Sequence, residues 1–258
     1  MQNRYDFIIS TVTEAGELVL SSKEKHLEIS AKGGDSRDVL TNVDLEVNIF
    51  VTNKIKELFP GEMIYSEETE GGIAGQAAYW SIDPIDGTSN FARNIPHYAT
   101  VISYIENGEA VVGAIYNPVT RELYSFEKEK GAFLDGKPIR VTDISALKDA
   151  YILLHIGRKT EVREWGLNLQ KYFLEHAKKN TNLGSSALDL AFLASGRVDA
   201  VIYGTMTTAD IAIATALVRE AGGEVYDIAG APITLADTPQ QIIGTSTRAL
   251  FDGIAAIK

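Results

Sequence analysis

Trp80-Ser81-Ile82-Asp83-Pro84-Ile85-Asp86-Gly87-Thr88-Ser89-Asn90-Phe91 decides how this chain is read. It reads as an extended apolar run that stops at a pair of carboxylates. Proline has no N–H and disfavours helix in the residue before it, so Pro84 predicts that the strand is left at Asp83. Asp86-Gly87-Thr88 is turn chemistry, and Gly87 lets another group come close to the backbone. Thr88, Ser89 or Asn90 can then open a helix, whose first N–H groups have no partner and suit a phosphate oxygen. One short stretch thus offers two carboxylates, Asp83 and Asp86, for a hard cation and a donor cradle at Gly87 and Thr88 for an anion. Metal-assisted phosphoryl transfer to water needs that pairing. The plain alternative is a turn, because Asp-Pro and Asp-Gly are common turn dipeptides.

Composition bounds the chemistry. The 258 residues are enough for one large or two small domains with a substantial core. A 45% hydrophobic and 23% charged content is that of an ordinary globular chain, not a disordered one. No apolar run approaches the roughly 18 residues of a membrane span, so no membrane partner is expected. Residues 1–6 lack the basic start and apolar core of a secretion signal. The absence of cysteine excludes disulfides and thiolate metal sites, and fits a cytoplasmic location. With 24 basic and 35 acidic residues the net charge is −11, which disfavours a nucleic-acid partner. A phosphate substrate would be repelled too, unless bound cations invert the sign locally.

Along the chain, Tyr5, Ile8, Ile9, Val12, Ala15 and Val19 fall at helical spacing, and Leu27, Ile29 and Ala31 alternate as a short strand. The loop 32–37 carries Lys32, which is either solvated or within reach of an anion. Thr41-Asn42-Val43-Asp44 has the form of a capping box, followed by Val47, Phe50, Val51, Ile55 and Leu58 on one helix face. Residues 63–66 read as a strand with Glu67 and Glu68 at its end. Neighbours on a strand point opposite ways, so one of the two faces any site. Asn107-Gly108 predicts a hairpin, and the antiparallel pattern continues through Asp135-Gly136. Beyond about residue 145, strands at 151–154, 199–203, 225–226 and 241–244 alternate with helices at 161–178, 185–195 and 210–221, and the last dozen residues read as helix. The expected fold class is α/β: an α+β first half, residues 1–145, carrying most of the chemistry, and an α/β second half, residues 146–258. Gly184-Ser185-Ser186-Ala187 reads as a helix cap, and so does Asp210 by itself.

Haloacid-dehalogenase type phosphatases also place an Asp…Asp-Gly-Thr string after a strand. There one residue separates the aspartates and the motif lies near the N-terminus, whereas here two residues separate them and 82 precede the first. Asp83-Pro84-Ile85-Asp86-Gly87-Thr88-Ser89-Asn90-Phe91 instead resembles the signature of the inositol monophosphatase family. That family stands with fructose-1,6-bisphosphatases and 3′-phosphonucleotide phosphatases in a lithium-sensitive superfamily. Its second signature, Trp-Asp-x-Ala-Ala and then Glu-Ala-Gly-Gly, is similar to Asp210-Ile211-Ala212-Ile213-Ala214 and Glu220-Ala221-Gly222-Gly223. Here Ala209 replaces the Trp and Ile213 an Ala. Relatives of the inositol type also place a Glu several residues before this Asp, to hold a substrate hydroxyl. Aligned without gaps, that place is Tyr203, beside Gly204.

The resemblance implies a layered α-β-α-β-α sandwich similar to fructose-1,6-bisphosphatase. It implies that Glu67, Asp83, Asp86, Asp210 and the backbone carbonyl of Ile85 hold two or three Mg²⁺ ions. Glu67 and Thr88 would orient an attacking water, with Asp44 beside the metals, although Asp44 is explained equally by the helix dipole. Gly87 and Thr88 N–H groups would hold phosphate, and Asp86, Ser185 and Asp210 would border the substrate. Lys32 would lie near the metals and Glu68 behind Glu67. The implied activity is hydrolysis of a small phosphate monoester by a homodimer, with inositol-1-phosphate the first expectation. Rival substrates are 3′-phosphoadenosine-5′-phosphate and fructose-1,6-bisphosphate. The rival of another class is a regulatory protein that binds RNA polymerase or another partner. His97 and His155 lie in no arrangement suggesting a triad, so no side-chain nucleophile is expected.

Overall fold

A computed structural model describes residues 3–23, 27–31, 39–68, 72–157, 160–235 and 238–257. Lys32 and the loop 32–37 lie outside these residues. Helix α1 (Arg4–Ser22) is followed by strands β1 (Ile29–Ala31) and β2 (Val39–Thr41), paired antiparallel. Thr41 then caps α2 (Asn42–Leu58) through the expected capping box: its hydroxyl accepts from Asp44 N, and the Asp44 carboxylate accepts from Thr41 N.

The next strands are β3 (Ile64–Ser66) and β4 (Ala78–Asp86), then the short helix α3 (Thr88–Ala92). Strands β5 (Ala99–Glu106), β6 (Glu109–Asn117), β7 (Glu122–Glu127), β8 (Gly131–Leu134) and β9 (Lys137–Ile139) complete one seven-stranded sheet in chain order. Only the β3–β4 pair is parallel. Asn107 and Gly108 have φ of 52° and 79°, and Asp135 and Gly136 51° and 73°. Positive φ at both central residues matches the right-handed twist of the flanking strands, so both pairs make tight hairpins.

The second half contains β10 (Tyr151–His155), α4 (Thr160–His176), β11 (Lys179–Thr181), α5 (Ser186–Ala194), β12 (Ala200–Met206), α6 (Thr208–Glu220), β13 (Glu224–Tyr226), β14 (Gln240–Thr245) and α7 (Arg248–Ala255). Its five strands lie in the order β11-β10-β12-β14-β13. β10 runs parallel to both β11 and β12, while β14 is antiparallel to its neighbours.

Helices α1 and α2 cover one face of the large sheet, α5 and α6 lie between the sheets, and α4 and α7 cover the far face of the small one. The result is the expected α-β-α-β-α sandwich. Three apolar cores fill its four gaps: one around Phe7, Val47 and Trp80, one around Tyr124, Leu188 and Ile213 that spans both sides of the middle helices, and one around Leu154, Phe173 and Phe251. The middle helices are buried on nearly every side, which is why α5 and α6 carry apolar residues well beyond a single face. Among the described residues no helix is long and apolar enough to cross a membrane.

Candidate active site

The strand carrying the motif does not stop at Asp83. β4 runs on through Pro84 and Ile85 to Asp86, with a register shift. Asp83 pairs with Val101 and Asp86 with Ala99, so β4 spends one more residue than β5 over this span. Pro84 sits in that one-residue bulge, where no ladder donor is required of it, and its carbonyl accepts from Thr100 Oγ1 at 2.9 Å. The bulge has a consequence for the site. Residues three apart on a regular strand point to opposite faces; one extra residue brings Asp83 and Asp86 round to the same side.

Gly87 follows with φ 89° and precedes the first residue of α3. A Cβ there would lie 3.0 Å from the His97 carbonyl oxygen and 3.2 Å from Ser185 Cβ. Gly87→Ala is therefore expected to lower stability by at least about 1–2 kcal/mol, the cost of a left-handed conformation for an L-residue. A urea titration checks this; an unchanged midpoint would show that the loop can relax.

Asp86 reaches across to the second half of the chain. One of its oxygens accepts from Ser186 N at 3.1 Å and Ser186 Oγ at 2.9 Å; the other accepts from Ala187 N at 2.9 Å and from Ser185 Oγ. Ser185 occupies the N-cap position of α5 but makes no side-chain cap bond of its own. The expected cap is thus supplied by a carboxylate from β4, where a helix N-terminus favours negative charge.

Asp210 also differs from its expected place. α6 starts at Thr208 with Thr207 as N-cap, so Asp210 is the third helical residue. Thr207 Oγ1 donates to Asp210 Oδ2 at 3.1 Å, while the buried Oδ1 has no partner among the described residues. Glu67 and Glu68 lie just beyond β3, in a turn, not on the strand. One carboxylate oxygen from each of Glu67, Asp83 and Asp210 lies within 4.8 Å of the other two. Two of these groups come from the first half and one from the second.

The cluster is buried and anionic. Asp83 is 3% and Asp210 7% exposed, so water screens neither, and Glu67 is half-buried. Burial pushes the Asp83 carboxyl well up from its ordinary range, and the charges of Glu67, Asp210, Asp86 and Asp44 add to it. Asp210 is pushed well up by burial and then by Asp86 and Glu67. Burial also raises Asp86, and the donors from Ser185, Ala187 and Ser186 offset part of that rise. Among the described residues no lysine or arginine pairs with Asp83, Asp86 or Asp210. Converging buried carboxylates, all hard oxygen donors, with an orphaned oxygen on Asp210, fit a hard divalent cation.

Beside the cluster, Thr88 Oγ1 lies 2.9 Å from the Ile85 carbonyl and 3.3 Å from Asp44 Oδ1. Asp44 Oδ2 accepts from Thr41 N at 2.9 Å and Thr41 Oγ1 at 2.5 Å. The two readings of Asp44 are therefore compatible: one oxygen caps α2 and the other faces Thr88. Burial raises its carboxyl, with the threonine bonds opposing. Asn90 Nδ2 ties the motif to the second half, donating to the His97 carbonyl at 2.8 Å and the Leu183 carbonyl at 2.9 Å.

One group escapes the sequence reading. Asp189 on α5, 1% exposed, accepts from Tyr203 Oη at 2.7 Å on one oxygen and meets His97 Nε2 at 2.8 Å on the other. His97 thus has an aspartate partner, yet the third member is a phenol and no nucleophile completes a triad. A lone charge inside the apolar run Leu188-Asp189-Leu190 is the signal that was available, because a buried carboxylate needs partners. Gly204, beside Tyr203, has no room for a side chain: its Cβ would lie 2.4 Å from Gly157 N. A hydroxyl-binding carboxylate does not fit there.

The sequence profile of the inositol monophosphatase family matches residues 1–257. The chain is 32% identical over 232 residues to the fructose-1,6-bisphosphatase/inositol-1-monophosphatase of Thermotoga maritima, covering 88% of this chain and 86% of that one. It is 33% identical over 235 residues to the Nus factor SuhB of Vibrio cholerae, covering 89% and 87%. The solved Thermotoga maritima IMPase superposes with a TM-score of 0.87 at 28% identity, over 99% of this chain and 96% of the other. With the fold, both signatures and the carboxylate cluster in agreement, the chain belongs to the inositol monophosphatase family and is a phosphatase of small phosphate monoesters.

Proposed function

We propose that this phosphatase depends on Mg²⁺ and accepts inositol-1-phosphate among its substrates. The observation that carries the reading is the convergence of Glu67, Asp83 and Asp210, from both halves of the chain, around an unpartnered Asp210 oxygen. Residues 1–145 supply most of the groups and residues 146–258 complete them. Glu67, Asp83, Asp86, Asp210 and the Ile85 carbonyl would hold two or three ions. When bound, the cations offset the carboxylate charge, attract the phosphate despite the net charge of −11, and make water easier to ionise.

The chain's own groups do the rest. Gly87 and Thr88 N–H groups at the start of α3 hold the phosphate, and Asp86, Ser185 and Asp210 border the ester. Glu67 and Thr88 orient a water in line with the ester bond. Its oxygen bonds to phosphorus as the bond to the leaving oxygen opens on the far side. One water proton passes to Thr88 Oγ1, whose own proton passes to Asp44 Oδ1; a buried carboxyl raised above its ordinary range is the stronger base. The leaving oxygen takes a proton from solvent.

A phosphate-release screen over inositol-1-phosphate, fructose-1,6-bisphosphate and 3′-phosphoadenosine-5′-phosphate tests this. Release is expected with Mg²⁺, with more than about a 100-fold fall in excess EDTA and weaker inhibition by Ca²⁺, whose looser geometry suits the site less. Undiminished turnover in EDTA sinks the metal reading. The name of the Vibrio cholerae relative favours a second reading, a regulatory role through a protein partner. No release from any ester with Mg²⁺ present would favour that one.

A further inference from the structure

Tyr203, on β12, is buried, and its hydroxyl is committed to Asp189, which His97 holds from the other side. Burial, then the charges of Asp189 and Asp86, push the phenol well above its ordinary range, so it stays neutral beside the carboxylates. The His155 ring stacks on it, centroids 5.0 Å apart and planes 12° from parallel. His155 is only half-buried, and its Nδ1 lies 3.3 Å from Asn182 Nδ2. Asn182 stands three residues before Ser185, whose hydroxyl bonds Asp86. The stack therefore borders the start of α5, beside Asp86.

Resting on the phosphatase reading above, we infer that the His155 ring, backed by the buried Tyr203 ring on which it stacks, forms a flat wall for the leaving group, selecting monoesters that carry a planar ring next to the phosphate. Ring faces attract flat partners, whereas a polyol needs uncommitted polar groups. Here the phenol hydroxyl and both Asp189 oxygens are already engaged. Inositol-1-phosphate remains a substrate on this account, but a weakly selected one.

The test compares benzyl phosphate with cyclohexylmethyl phosphate, both esters of primary alcohols and similar in size, one flat and one not. Inositol-1-phosphate serves as the polyol. With Mg²⁺, wild type is expected to favour benzyl over cyclohexylmethyl phosphate about tenfold in kcat/KM, a stacking-sized effect. His155→Ala should bring the two within about twofold, and His155→Phe, which restores a flat ring, should recover the preference. Equal use of the two esters by wild type, or an equal loss on all three esters in His155→Ala, overturns the wall and leaves the phosphatase reading standing. No release from any of the three by wild type overturns both.

Discussion

Asp83→Asn is expected to lower turnover by more than about 100-fold, the loss that even an outer partner of a metal ligand can cause, while raising the melting temperature of the cation-free protein. The second half of that expectation follows from burial. Asp83 is almost wholly inside, its carboxyl is raised by burial first, and four other carboxylates raise it further. Asparagine keeps the shape and can still accept from Ile85 N, which bonds Asp83 Oδ1 at 3.0 Å. What it removes is charge that the folded, cation-free state tolerates badly.

The sign of the pH effect follows from the same groups. A carboxyl whose folded pKa lies above its unfolded value holds its proton longer when folded. Its contribution is fully present below the unfolded value of 3.8 and is lost as pH rises through the raised folded value. Glu109 and Glu122, lowered chiefly by hydrogen bonds from Lys128 and Arg197, act in the opposite direction. The informative quantity is therefore the difference between variant and wild type. In EDTA, the variant's advantage should widen as pH rises above 3.8 and through the raised folded value, reaching at least the roughly 2–4 °C that 1 kcal/mol gives a chain of this size. A variant that melts below wild type throughout would make Asp83 a structural aspartate.

Much of this architecture was legible because the forces that set it are local. The Thr41–Asp44 capping box spans four residues, and the Asn107-Gly108 turn needs only two positive φ angles. The bulge in β4 was not legible, because it is a relation between β4 and β5, and nothing in Asp83-Pro84-Ile85-Asp86 alone says which residue of β5 lies opposite. Ser185 has the residue type of a cap, but its hydroxyl goes to Asp86, 99 positions earlier. Strand β11 is three residues long and largely polar, too short to show alternation; parallel pairing with β10 makes it a strand. The Asp189 pairings join β12, α5 and the segment before β5, which only the packed layers bring together. The carboxylates themselves were found because chemistry restricts residue type more tightly than packing does.

Asp210→Ser separates the two meanings of the carboxylate farthest from the rest in sequence. A helix-starting aspartate is most often a cap worth about 0.5–2 kcal/mol, and serine caps as well. The structure leaves little of that role to remove: Thr207 holds the N-cap position, and Asp210, in the first turn, accepts from the Thr207 hydroxyl at 3.1 Å. Losing a charge there costs about 0.3–1 kcal/mol of helix-dipole interaction, and relief of repulsion from Asp86 and Glu67 offsets part of it. The fold should therefore survive with little change in melting temperature. Turnover should fall by more than about 100-fold, and the rise in melting temperature that Mg²⁺ gives wild type should be largely lost, because serine brings no charge to a site whose orphaned oxygen is Asp210 Oδ1. Ala209, buried and small, gives Asp210 no bulky neighbour that could hold a replacement in place. A variant whose Mg²⁺ response and turnover stay close to wild type would mean that Glu67, Asp83 and Asp86 complete the site within the first half of the chain.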